Sequence, residues 1–456
     1  MTHKLHLLPA VIATGLLSFS GVLIETAMNV TFPILIDQFN INPSTVQWVT
    51  TMYLLVIAIM VPLTNFLLKR FALKPLFIIA NLLFILGLSL DLLASNFVML
   101  LIGRFFQGFG TGIGLPLMFH IILTFAPLAK RGLMMGIGTL TTSIAPAIGP
   151  TYGGLLTTNY SWHYIFLFLI PILIISLVIG IYAIPYIKPN STSSLDTIHL
   201  VSLAIFFTGM LIFLNEPTKL ANIGLCFLGL VAGGFSIYRA KTSPYPLLRL
   251  HVITNRPYRT FLLSFLAIQA LFLGGSFVIP TFIQVSLGYN AFIAGAAMIP
   301  GALISALLAP IAGRLLDQVG PQKPIIGGLS IACLGLLILI VSFWQHTILF
   351  LIIGHAIYSI GTGLAYSNLM TAGMNTLSSK EYGDGSTIFN TLQQFIGAVA
   401  TTVVATIMTI AQASQSNQII GTNLGAIIGL VFLFILLFIA LLSCINYFKR
   451  YHVLTN

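Results

Sequence analysis

The chain has 456 residues, 58% hydrophobic and 6% charged, with nineteen Lys and Arg against eight Asp and Glu for a formal net charge of +11. A soluble domain cannot hide so much apolar surface, because its exterior would itself have to be apolar. The positive surplus does not point to nucleic acid either, since the basic residues fall between long apolar runs in a membrane pattern.

Runs of about 20 apolar residues, each long enough to cross a ~30 Å hydrocarbon core as a helix, recur from end to end. They lie at 9–31, 45–68, 75–94, 97–121, 133–156, 163–185, 197–214, 220–238, 260–283, 291–312, 324–343, 347–371, 386–411 and 421–447. The fold class expected is therefore an all-α polytopic membrane protein with fourteen transmembrane helices. The first run, Leu7 to Phe32, is too long for a signal-peptide core and lacks a small-residue cleavage site, so it reads as a retained helix. Seventeen of the nineteen basic residues, from Lys4 to Arg450, occupy the termini or alternate connections; Arg104 lies inside a span and Lys219 in an opposite loop. That distribution places both termini in the cytoplasm of a cell membrane.

An internal repeat organises the chain. Gly313, Leu315, Asp317, Gly320 and Lys323 follow the tenth span as Asn65, Leu67, Lys69, Ala72 and Lys74 follow the second. The reading is two pseudo-symmetric six-helix bundles plus two extra helices. Residues 1–187 form the first bundle, 188–240 the additional helices, 241–259 a basic cytoplasmic loop and 260–456 the second bundle. The basic loop suggests a short amphipathic element whose cations meet lipid headgroups. Cys226, Cys333 and Cys444 are scattered singly in apolar segments and read as packing residues.

Glu25 is the chemical anomaly. It sits in the first run without a basic residue to neutralise it, and a carboxylate at membrane depth is costly. Protonated, it is cheap to bury; ionised, it must face water or a cation. Arg104 lies about 10 Å of helix rise below the outer surface and Glu25 about 9 Å, which makes Arg104 the natural counter-charge. Asp91, four residues inside the outer end of the third helix at Ser95, is expected to reach water or pair with Arg104. No Gly-x-x-x-x-Gly-Lys-Ser/Thr sequence, metal-ligand cluster or nucleophile–base arrangement occurs, so neither an enzyme nor a cofactor is expected and an ion gradient must supply the energy.

Several segments resemble the major facilitator superfamily, in its fourteen-helix drug:proton antiporter branch. Residues 25–33, Glu-Thr-Ala-Met-Asn-Val-Thr-Phe-Pro, are similar to that branch's first-helix motif. Arg104, Gln107, Gly108, Gly110, Gly112 and Pro116 resemble its fourth-helix arginine motif. Residues 145–154, with Pro146, Gly149, Pro150, Gly153 and Gly154, resemble the fifth-helix antiporter motif, and Gln284, Gly288, Tyr289, Ala294, Gly295 and Pro300 a ninth-to-tenth helix pattern. The branch's usual first-helix aspartate aligns with Ile24; an acid displaced to Glu25 resembles the subset of lincomycin and multidrug exporters. His163 stands where an arginine is common, and Lys69 where the first loop usually has aspartate.

The resemblance implies proton-coupled multidrug efflux by alternating access, and its partners would be small-molecule drugs, protons and membrane lipids. A monomer is expected, with an adaptor protein left open. Glu25, Arg104 and Asp91 are the expected proton-coupling residues. Asn29, Tyr53, Gln107, Gln284, Tyr358, Asn368 and Gln393 are the expected cavity lining, suited to lipophilic, often cationic compounds. Gly149, Pro150, Gly153 and Gly154, with Pro146, would bend and tightly pack the fifth helix, while Gly313, Asp317 and Gly320 form the loop motif. His355 reads as a satisfied packing histidine. The alternative is a proton-coupled transporter of one metabolite, such as a sugar, amino acid or siderophore; such a site usually needs several fixed charges, which this interior lacks.

Overall fold

The computed structural model describes residues 7–126, 134, 138, 145, 148–187, 194–244, 246–378 and 381–455. Among these, thirteen helices are long and apolar enough to cross a membrane. They match thirteen of the fourteen expected spans; half of the other, 133–156, lies outside the described residues. The chain divides into two compact units. One comprises Met1–Thr31, Trp48–Phe213 and Pro217–Leu248, the other Phe32–Gln47, Leu214–Glu216 and Arg249–Asn456.

Helix α1 (Leu7–Asn29) ends before its apolar run does. Pro33 has no N–H and its ring would clash with the carbonyl four residues back, at Asn29, so the helix breaks at Val30–Thr31. The Thr31 N–H and hydroxyl both donate to Met28 O, at 3.0 and 2.7 Å. Two short helices follow, α2 (Phe32–Phe39) and α3 (Pro43–Val46). Thr45 N donates to Asn42 Oδ1 at 2.7 Å and Pro43 opens the first turn, a helix start written in the sequence.

The first unit continues with α4 (Trp48–Arg70), α5 (Leu73–Leu92) and α6 (Phe97–Phe125). After these come α7, described over 148–159, α8 (Tyr164–Leu167), α9 (Leu169–Ala183), α10 (Thr197–Asn215) and α11 (Leu220–Thr242). Helix α6 packs against α1, α4 and α5 and is the axis on which the buried polar groups gather.

Asp196 opens α10. Its Oδ1 accepts from His199 N at 3.0 Å, and its Oδ2 pairs with Arg239 Nη2 of α11 at 2.8 Å. Burial opposes the Asp196 carboxylate, but hydrogen bonds from Ser243, the His199 N–H and Arg239 outweigh it and hold the group below the usual carboxylate range. A folded-state pKa below the unfolded value contributes stability above the unfolded pKa, and that stability is lost as pH falls through the folded one. The Asp196 contribution to hydrogen-exchange protection at residues 197–202, read as the difference between the wild type and Asp196→Ala, should therefore be flat from pH 8 to 5 and drop only in stronger acid. Between pH 8 and 5 Asp196→Ala should lower protection by about 0.5–2 kcal/mol for the lost cap; unchanged protection there would refute this.

The second unit holds a 3₁₀ turn (Leu250–Thr254), α12 (Arg256–Thr281), a π turn (Phe282–Ser286), α13 (Ala291–Ala296) and α14 (Ile299–Val319). It ends with α15 (Gln322–Trp344), α16 (Ile348–Met374), α17 (Tyr382–Ala413) and α18 (Gln418–Thr455). Helix α14 stops at Gly320, whose φ of 76° favours glycine and whose N–H returns to Leu316 O at 3.0 Å. Gly313 lies within α14 with open space beside it, and the Asp317 side chain lies outside the described residues.

The basic loop makes ties within its own unit. His251 Nε2 meets Glu381 Oε1 at 3.0 Å, Arg249 Nη1 lies 3.9 Å from Asp384 Oδ2, and Val252 is buried. Arg249 and His251 thus lie beside acids of the same unit, which are near in space and about 130 residues away in sequence. Another tie joins α3, the end of α10 and α17. Asn215 Nδ2 donates to Ser44 O at 2.7 Å, Ser44 Oγ to Asn215 O at 3.0 Å, and Ser44 N to Thr409 Oγ1 at 2.9 Å.

Candidate functional site

Gly21, Glu25 and Asn29 recur at four-residue spacing and so share one face of α1. Their partners show where that face points. Tyr53 Oη of α4 donates to Gly21 O at 2.8 Å, and Thr50 Oγ1 of α4 donates to Asn29 Oδ1 at 2.9 Å. Glu25 sits between these two ties, directed to the protein interior, and only 7% exposed. Among the described residues it makes no ion pair within 4 Å. Arg104 and Tyr53 nevertheless lie within electrostatic reach of it.

Arg104 is fully buried on α6. Its Nε donates to Val49 O at 2.9 Å, its Nη1 to Gln107 Oε1 at 2.6 Å, and its guanidinium carbon lies 4.2 Å from the centroid of the Tyr53 ring. Cation–π attraction in a desolvated site adds to those hydrogen bonds. The Tyr53 hydroxyl also meets Thr111 Oγ1 at 2.7 Å, so one side chain ties α4 to both α1 and α6.

Asp91 departs from expectation. It does not reach toward water but is fully buried against α6. Nor does it pair directly with Arg104: Gln107 Nε2 donates to Asp91 Oδ2 at 2.7 Å, so the amide stands between acid and cation. Its Oδ1 presses against Gly103 and has no hydrogen-bond partner among the described residues. Gln107, expected as cavity lining, is the connecting residue. Its spacing of three from Arg104 on a helix was the signal for that role.

The fifth-helix glycines serve close approach. A Cβ on Gly149 would collide with the Thr26 side chain, and one on Gly153 with Ala27 O. Helix α7 therefore packs backbone to backbone on α1 at the two residues that follow Glu25. Pro150 and Gly154 belong to the same helix, and Pro146 lies outside the described residues. His163 Nε2 lies 3.0 Å from Ala94 O just beyond α5, which gives that replacement a structural partner.

The expected cavity residues separate into two kinds. Asn29, Tyr53 and Gln107 are buried members of the network above rather than free lining. In the second unit, Asn368 Nδ2 donates to Ala312 O of α14 at 3.0 Å and to Leu364 O at 2.9 Å, so that amide binds helices together. Tyr358 is buried ten residues earlier on α16, about 15 Å along the axis. Gln284 Nε2 turns back to Pro280 O at 3.3 Å, and Gln393 is half-buried on α17.

Known proteins resemble this chain throughout its length. The lincomycin resistance protein LmrB of Listeria monocytogenes is 33% identical over 429 residues, covering 92% of this chain and 90% of that protein. LmrB of Bacillus subtilis is 32% identical over 431 residues, with 92% and 89% covered. The colistin resistance protein EmrB of Acinetobacter baumannii is 28% identical over 397 residues, with 81% and 75% covered. Among solved structures, a bacterial homologue of the human lysosomal transporter Spinster superposes with a TM-score of 0.71 at 14% identity, covering 96% of this chain and 97% of that one. A POT family transporter in complex with 5-aminolevulinic acid gives 0.70 at 14% identity, with 96% of each chain covered. The family model of the Major Facilitator Superfamily matches residues 14–401. Together with the helical architecture, that match makes this multi-pass membrane protein a member of the major facilitator superfamily.

Proposed function

We propose that the protein exports lipophilic small molecules across the cell membrane in exchange for protons, with both termini in the cytoplasm. The observation that carries this reading is Glu25: an acid on the interior face of α1, nearly buried, without an ion-pair partner among the described residues, and within electrostatic reach of Arg104. In that setting the neutral acid is the form that fits a closed site, whereas the carboxylate needs water or a cation. Drug and proton then compete if each stabilises a different protonation state of one cavity. Alternating access supplies the two openings. The resistance functions in the relatives' names support drugs as the substrate class. The protein works as a monomer, without a cofactor.

The test is accumulation of lincomycin by inside-out vesicles carrying the protein, with an imposed acidic lumen. Uptake should require the gradient, collapse with a protonophore, and be inhibited by ethidium and tetraphenylphosphonium. Uptake confined to one metabolite, untouched by these unrelated compounds, would establish the specific-transporter alternative instead.

A further inference from the structure

The two units repeat one packing scheme, and the repeat reveals a histidine with an unexpected address. Residues 100–114 of α6 and 351–365 of α16 align at a constant offset of 251. Gly103-Arg104 corresponds to Gly354-His355, and Gly110-Thr111-Gly112 to Gly361-Thr362-Gly363. The helices packed on them keep a second constant offset, 248. Gly112 lies against Ile57 and Met60 as Gly363 lies against Ser305 and Leu308, while Gly110 lies on Ala80 and Phe84 as Gly361 lies on Gly328 and Ala332. Pro62 inside α4 and Pro310 inside α14 obey it as well.

Under this correspondence His355 takes the place of Arg104. Each lies seven residues into its helix. Around it the second unit has Gly301 for Tyr53, Tyr358 for Gln107 and Leu339 for Asp91. One ionisable side chain is kept at that depth, and the ring, amide and acid that serve Arg104 are gone. His355 is buried, and its Nδ1 has no hydrogen-bond partner among the described residues. It is thus not the satisfied packing histidine expected from sequence. Its Nδ1 and Ser359 Oγ converge on Gly301, where a Cβ would collide with the ring nitrogen and stand 2.6 Å from the hydroxyl.

A buried polar atom left without a partner is costly and is seldom retained without use. Arginine keeps its charge throughout a cycle, whereas histidine can change it. No charged group of α12, α14, α15 or α17 among the described residues acts on His355; its titratable neighbour is Tyr358, with ring centroids 5.7 Å apart. In the closed site an imidazolium would be a cation without a counter-charge. It becomes stable only when water reaches Nδ1 beside Gly301 and Ser359.

We propose that His355 is a second proton-binding site, built into the second unit at the position equivalent to Arg104. It takes a proton on Nδ1 when water reaches that atom and returns it when water is excluded. The inference rests on the proton-coupled reading above and adds a site that does not depend on Glu25.

The experiment uses the full-length protein in lipid nanodiscs with ring-¹⁵N-labelled histidine, titrated from pH 5 to 8.5 with and without tetraphenylphosphonium. His355→Asn identifies the signal by its loss, and Gly301→Ala, which presses a methyl on Nδ1, identifies it by its shift if the first variant does not fold. The ring should pass from neutral to imidazolium within this range, and the probe should move its midpoint. Probe-induced proton release should fall to about half in His355→Asn and lose the other half in Glu25→Gln. A ring that stays neutral at every pH, with and without probe, overturns the proposal, as does full proton release from His355→Asn. The titration needs no gradient, so it stands or falls separately from gradient-driven export.

Discussion

Glu25→Gln should reduce gradient-driven accumulation in inside-out vesicles to the level of vesicles lacking the protein. Glutamine keeps the shape of the side chain and its capacity to hydrogen-bond, and removes only the exchangeable charge. Because Glu25 makes no ion pair within 4 Å among the described residues, no structural tie is broken. The variant should therefore fold normally, with an unfolding midpoint equal to the wild type or higher, since an uncompensated buried carboxylate is itself a cost. Tetraphenylphosphonium should still bind, and pH should no longer change its affinity through this group. Uptake that still followed the gradient in this variant would remove Glu25 from the coupling scheme.

Arg104→Met should have the largest effect on stability, a loss on the order of 3–5 kcal/mol, as expected when one member of a buried charged network is deleted. Methionine fills part of the volume but leaves Val49 O and Gln107 Oε1 without their donor, and leaves Asp91 without the nearby cation. Lysine is not a conservative exchange here, because a point charge cannot donate to a carbonyl and an amide in one plane while lying over the Tyr53 ring. Asp91→Asn in the Arg104→Met background should restore part of the loss, since acid and cation act as one unit and their effects do not add. Denaturant unfolding in detergent micelles measures these variants together with Asp91→Asn alone. Strictly additive losses, or an Arg104→Lys protein as stable as the wild type, would show that the network is not a unit.

The spans were legible because run length and basic-residue spacing reflect bilayer thickness and insertion, which act locally on the chain. The end of α1 was not, since hydropathy does not register the missing N–H of Pro33. Glu25 and Arg104 could be read as anomalies from their charge alone. Their geometry could not: the route from Asp91 to Arg104 runs through an amide, and burial of Asp91 depends on how α5 seats against α6. The ties of Arg249 and His251 were not legible for a related reason, since their acids, Asp384 and Glu381, approach only after the second unit has folded. The address of His355 was present in the sequence as the 251-residue offset, hidden because the residues that differ across it are the chemically conspicuous ones.

Gln107 has a further consequence. Arg104 holds its oxygen and Asp91 holds its nitrogen, so the amide cannot flip, and it presents a donor to one side and an acceptor to the other. A side-chain amide does not pass protons as water or imidazole does. Locked in this way, it holds the acid and the cation at a fixed separation. Asp91 of α5 and Arg104 of α6 are therefore joined through one oriented dipole, and any shift of α5 against α6 reaches the guanidinium through it.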